Sequence, residues 1–157
     1  CVHHNEPVFG IVYDPVRKKT YIGKKDKGAV LNNEPIKVSK TDRLEQALIA
    51  CETSPYEREM TDMHFEKLKK IFIASMDIRI SGSAALDICH VAEGKADAFL
   101  TRNLKPWDYA ASICILNDAG GICTDWEGFP PSFSKKSDIL ASNGLLQEVL
   151  YAYIRRL

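Results

Sequence analysis

The hydrophobic periodicity of this chain changes once, near residue 40, and that change limits the fold more than any other feature. Up to Ser39 the apolar residues come in short β-rich runs separated by turn residues. In "PVFGIVYDPVRKKTYIGKKDKGAVLNNEPIKVS", Val8, Ile11, Val12 and Tyr13 make one run, and "DPVRKK" turns the chain. "TYIG", "AVLN" and "PIKVS" follow as extended segments, with further turns at Gly28 and "NNE". The spacing predicts an antiparallel meander over residues 1–39. Ser39 to Leu44 reads as a polar connection.

From residue 45 onward strands and helices alternate. "ALIAC" (Ala47 to Cys51) is an apolar strand, and Met60, Met63, Leu68, Ile71 and Phe72 then recur at helical intervals. "DIRIS" is a strand, "SAALDICHVAEG" a helix closed by Gly94, and "ADAFLT" a strand. "WDYAASICILNDAGG" is a helix ended by Gly120 and Gly121; "GICTDW" and "DILAS" are strands. "NGLLQEVLYAYIRRL" is a terminal helix with a basic last turn. A meander followed by β-α-β-α-β-β-α predicts an α/β class of layered sandwich, with helices packed on sheets. No linker marks a domain boundary, so residues 1–39 and 45–157 belong to one domain.

Composition narrows the function classes. Lys plus Arg and Asp plus Glu each total 21, so the net charge is zero and nothing favours nucleic acid or an anionic membrane as partner. No apolar run reaches the ~20 residues that cross a bilayer. "CVHHNEP" has no hydrophobic signal core, so the cytoplasm is the expected location. The five cysteines are odd in number, widely spaced and free of Cys-x-x-Cys, against a disulfide framework or structural zinc. Cys51, Cys89, Cys114 and Cys123 lie in apolar runs and read as buried thiols. Cys1, His3 and His4 admit a metal, or simply a charged strand edge. "KKDKG" (Lys24 to Gly28) reads as a solvated hairpin end, and His90 as a helix flank without chemistry.

Two junctions carry candidate chemistry. Asp108 follows Pro106 and Trp107 at a helix start, where its carboxylate meets unpaired amides and the positive end of the helix dipole. It serves there as a plain N-cap or as a hard-oxygen ligand for Mg²⁺. In "RISGSAALD" (Arg79 to Asp87) a strand ends, Gly82 turns the backbone and Ser83 opens a helix. That junction presents amides to a hydroxyl-rich or anionic ligand, or is an ordinary helix capped by Ser83. Both junctions can open at one sheet edge, where such sheets bind ligands.

"LKPWDYAASICILNDAGG" closely resembles the second signature of the inositol monophosphatase family, and "GSAALDICHVAEGKADAFL" resembles the segment before it. The meander resembles that family's as well, and the wording "LTRNLKPWDYAA" looks like its bacterial members. The resemblance implies the αβαβα sugar-phosphatase fold and a Mg²⁺-dependent phosphomonoesterase acting on inositol monophosphate or a related sugar phosphate. Fructose-1,6-bisphosphate, nucleotide 3′-phosphates and NADP are alternative substrates on the same fold, and homodimerisation is implied too. It assigns Asp108 to a metal and a substrate hydroxyl, with Trp107 packed behind it, and Gly82, Ser83 and Ala84 to the substrate pocket. Where the animal enzymes place an inositol-binding glutamate, this chain has Thr101; Arg102 and Lys105 nearby favour a more anionic substrate or are solvated charges. The family's first signature, Asp-Pro-x-Asp-Gly-Thr, does not occur, since Asp14-Pro15 lacks Asp-Gly-Thr. The chain is therefore expected to be the C-terminal part of a longer enzyme, inactive alone, or else a non-catalytic binding protein.

Overall fold

The structure, a computed structural model, describes residues 1–54 and 58–155. The short strands β1 (Val2–His3) and β2 (Glu6–Pro7) pair at the N-terminus. The meander follows as β3 (Phe9–Asp14), β4 (Lys19–Lys24), β5 (Gly28–Leu31) and β6 (Glu34–Pro35), antiparallel in that order. Next come β7 (Leu48–Cys51), α1 (Thr61–Ala74), β8 (Asp77–Arg79), α2 (Ala84–Ala92) and β9 (Ala98–Leu104). The last elements are α3 (Pro106–Asp118), β10 (Ile122–Thr124), β11 (Ser137–Ser142) and α4 (Gln147–Arg155). Arg156 and Leu157, expected in the basic last turn, lie outside the described residues.

The layers run meander, α2 with α3, five-stranded sheet, α1 with α4. Burial on both faces explains the unbroken apolar runs of the second sheet. Ala50, Phe99, Ile139 and Ala141 face Ile88, Val91, Ile113 and Leu116 of α2 and α3. Their strand neighbours Ile49, Leu100 and Leu140 point the other way, to Leu68 and Ile71 of α1 and Leu150 and Ile154 of α4. Tyr21 and Ala29 close the first cluster from the meander side.

The sheet order is β10-β11-β9-β7-β8, with β7 parallel to both β8 and β9. The chain leaves β7 through α1 to one neighbour and returns through α2 to the other. The C-terminal ends of β7 and β9 thus flank a topological switch point, the place where such sheets hold ligands.

The meander approaches α3 unusually closely. Gly10 and Gly23 are register partners on β3 and β4. A Cβ on Gly10 would sit 2.1 Å from the Ala111 carbonyl oxygen, and one on Gly23 would sit 2.6 Å from Ile115 Cα. The Cys114 thiol lies 3.6 Å from the Gly23 carbonyl. The small residues of "YAASIC" therefore let helix and sheet meet backbone to backbone. At the helix end, Asp118 accepts the Asp26 amide at 3.0 Å, which fastens the expected hairpin end to α3.

Three details differ from expectation. The segment "PIKVS" continues as a strand only to Pro35. Proline has no N–H for the ladder, and Val38 donates instead to Ala119 beyond α3. β9 runs on to Leu104, because Ser137 pairs with Leu104 beyond a bulge, so Thr101 lies inside the strand. Ser83 holds the N-cap position of α2, but its side chain makes no capping hydrogen bond. The helix closures at Gly94 and Gly120 are as expected, with φ of +74° and +91°. Cys51, Cys89 and Cys114 are buried free thiols, Cys123 is partly buried and Cys1 is exposed.

Glu93, at the end of α2, ties that helix to β4. It accepts from Tyr21 at 2.7 Å, Lys95 at 2.9 Å and Lys19 at 3.2 Å. Burial alone raises the Glu93 carboxyl; the three donors outweigh burial and hold it below the ordinary value. A depressed carboxyl stabilises the fold above its unfolded pKa and loses that stability as pH falls through the folded one. Glu93→Gln is expected to lose about 1–3 kcal/mol at pH 7. In urea unfolding the gap to wild type should narrow as pH falls below the ordinary carboxylate range; a constant gap contradicts the assignment. Gly23→Ala should cost about 3 kcal/mol and lower Tm by about 6–12 °C. An unchanged Tm would contradict the close approach.

Candidate functional site

The switch point opens into a cavity of about 470 Å³. Glu52 and Ser54, just past β7, form one wall, and Thr101, Arg102 and Asn103 of β9 form another. Lys105, Trp107 and Asp108 at the start of α3 complete it, with Lys136 from the loop before β11. The register explains the meeting: Cys51 pairs with Leu100, which brings Glu52 beside Thr101.

Asp108 is the third residue of α3, not its N-cap; Lys105 holds the cap position, with Pro106 first in the helix. The Asp108 carboxylate reaches back and accepts the Lys105 amide at 3.2 Å. It therefore sits in the first turn, at the positive end of the dipole. Trp107 does not pack behind it. The indole is 75% exposed, with the Lys105 ammonium 5.1 Å from its ring centroid. The second position of the helix faces outward because the buried face begins with Tyr109, Ser112 and Ile113.

Glu52 is the second carboxylate of the cavity. Burial, and then the charges of Asp87 and Asp108, push its carboxyl up; the Thr101 hydroxyl and then the Ala84 amide pull the other way. Asp87, on α2, is 2% exposed, and its Oδ2 has no hydrogen-bond partner. The Thr101 hydroxyl lies close to Glu52 but outside hydrogen-bonding geometry, fully buried and without a partner. The site therefore holds a partly buried carboxyl pushed up by two acidic neighbours, beside a buried hydroxyl. Such oxygens suit a hard cation and a hydroxylated ligand. Among the described residues no three His, Cys, Asp or Glu side chains converge closely enough to complete a metal site.

Of the residues expected from sequence, Asp108 and Thr101 meet in one cavity, together with Arg102 and Lys105. Gly82, Ser83 and Ala84 are not in its lining; only the Ala84 amide reaches it, through Glu52. Gly82 does take the left-handed conformation, with φ +84°. Glu52 and Lys136 were not anticipated. A polar residue directly after the apolar strand "ALIAC" is a usable signal, since ligands gather at carboxyl ends of parallel strands. Lys136 arrives on a long loop and has no local signal.

Comparison with known proteins agrees with this architecture. A sequence model of the inositol monophosphatase family matches residues 1–157. The chain is 38% identical over 133 residues to a putative Nus factor SuhB of Neisseria meningitidis, covering 85% of the chain and 51% of that protein. It is 36% identical over 145 residues to an inositol-1-monophosphatase of Synechocystis, covering 92% of the chain and 50% of that protein. The solved inositol monophosphatase of Anabaena superposes with a TM-score of 0.90 at 33% identity, covering 96% of this chain and 59% of that one. The chain thus spans about half the length of the curated relatives it matches.

Proposed function

The chain belongs to the inositol monophosphatase family, and on that premise we propose that it is the C-terminal portion of a Mg²⁺-dependent phosphomonoesterase. The substrate is inositol monophosphate or a related small sugar phosphate. One observation carries the reading: Asp108, in the first turn of α3, shares a switch-point cavity with Glu52 and an unpartnered Thr101 hydroxyl.

Asp108 and Glu52 fit Mg²⁺ as oxygen donors, and the set they form is incomplete within this chain. When bound, such an ion supplies Lewis-acid stabilisation of phosphoryl charge and a bound water of lowered pKa. The residues of this chain do the positioning. Asp108 orients the ion and a substrate hydroxyl, held in place by the Lys105 amide. Thr101 offers its hydroxyl to the alcohol portion. Of the junction at Gly82, Ser83 and Ala84, the Ala84 amide takes part by holding Glu52. Lys105 and Lys136 draw the anionic substrate in.

Those two cations favour a second reading, in which the substrate is more anionic, such as a sugar bisphosphate, a nucleotide 3′-phosphate or NADP. The name Nus factor on a relative favours a third, a binding protein without turnover. In the first two readings the protein is a cytoplasmic homodimer acting on small molecules, with no nucleic-acid or membrane partner. The balanced charge supports a small-molecule substrate over nucleic acid, and among the described residues no helix is long and apolar enough to span a bilayer.

The test is phosphate release by the complete protein across a panel of mono- and bisphosphates, with and without Mg²⁺. Asp108→Asn should lower kcat/KM at least about a hundredfold, the upper end of what losing a metal ligand's hydrogen-bond partner costs. A wild-type rate in the variant removes the role given to Asp108. Metal-independent or absent turnover in the wild type overturns the enzymatic reading.

A further inference from the structure

A second cavity, also of about 470 Å³, lies on the other face of the sheet, between α1, α4 and the loop after β10. Lys67 of α1, Arg102 of β9, Trp126, Glu127, Asp138 and Arg155 are among its walls. Lys67 is 9% exposed, and its ammonium donates to the Ile154 carbonyl of α4. The Lys67 ammonium and the Arg102 guanidinium each stand 5.6 Å from the Trp126 ring centroid. Cations favour such ring faces, but a ring does not neutralise them.

The charges here do not balance. Arg102 Nε and Nη1 are buried and make no hydrogen bond. The Asp138 carboxylate paired with Arg102 is 3.6 Å from Nε, and its other oxygen already accepts the Asn103 amide at 2.9 Å. Arg155 turns its guanidinium to the Glu127 carbonyl and the Tyr151 ring. Burial, then the Arg102 and Lys70 charges, push the Lys67 ammonium below its ordinary value, against the pull of Asp138 and Glu127. Buried donors are normally satisfied, and buried cations normally paired. Three cations, Lys67, Arg102 and Arg155, face two carboxylates, Asp138 and Glu127, so among the described residues one positive charge and the Arg102 N–H groups are left without an anionic acceptor.

From this geometry we propose a second anion site, which takes a tetrahedral oxyanion of the phosphate class between Lys67 and Arg102. A planar guanidinium fork beside a compact ammonium matches phosphate oxygens. Arg102 belongs to the walls of both cavities, and its amide lies 3.4 Å from the Ser54 hydroxyl of the first. An anion on its guanidinium therefore fixes a strand that also shapes the Asp108 cavity. The inference stands whether or not the hydrolytic reading holds.

The chain has two tryptophans, Trp107 at the first cavity and Trp126 at the second. A signal that Trp126→Phe abolishes is assigned to Trp126, and Trp107→Phe removes the other indole of this chain. Titration with inorganic phosphate, in EDTA and at constant ionic strength, should give a saturable change in Trp126 emission. Lys67→Met in that background should weaken the affinity at least about tenfold, the loss of one charged hydrogen-bond donor. Asp138→Asn should tighten it, because a competing carboxylate is gone while an oxygen acceptor for the Asn103 amide is kept. Circular dichroism confirms folding of each variant. No saturable signal, or equal affinity in a folded Lys67→Met variant, overturns the proposal. If Lys67→Met does not fold, a failure of Asp138→Asn to tighten binding overturns it instead.

Discussion

The fold depends on a backbone-to-backbone approach between α3 and two glycines. Gly10 and Gly23 stand side by side in the meander, and Ala111 and Ile115 of α3 fill the space their side chains would occupy. α3 is sandwiched between two sheets, so its seat on one side fixes its distance from the other. Its first turn carries Asp108. A helix held at both faces cannot tilt without opening a cavity or forcing an overlap, and both are costly in a close-packed interior. The position of one carboxylate is thus set by packing along the helix behind it.

Around that carboxylate the electrostatics are left unsettled. Glu52 is pushed up by burial and by the charges of Asp87 and Asp108, and Asp87 keeps an unpartnered oxygen while nearly fully buried. Elsewhere the chain resolves such conflicts: Glu93 is buried too, yet three donors hold it ionised. The contrast separates a structural carboxylate from a set suited to bind. Strain of this kind concentrates where a ligand completes the charge balance.

Much of this was legible in the sequence, for a physical reason. The change of periodicity near residue 40 reflects a real change of environment, from a meander with one covered face to strands buried on both. Runs such as "ALIAC" and "DILAS" mark that burial directly. Asp108 was legible because a Pro followed by an acidic residue ahead of an apolar run marks a helix start. Its place as the third residue of the helix rather than its cap was not, because cap position depends on where Lys105 leaves the strand. The outward turn of Trp107 was hidden as well. A large aromatic reads as core, and only the helix phase set by Tyr109 and Ile113 places it outside. Lys136 and the Lys67–Arg102 pair lie far apart in sequence from what they face, so no local pattern announces them.

The central claim is that Asp108, fixed at the start of α3, holds a divalent cation at the switch-point cavity. The most direct measurement is anomalous diffraction from crystals of the complete protein grown with Mn²⁺. The account predicts a peak about 2 Å from an Asp108 carboxylate oxygen, the bond length of a hard six-coordinate cation. A peak elsewhere, with the Asp108 side chain bonded only to the Lys105 amide, would contradict it.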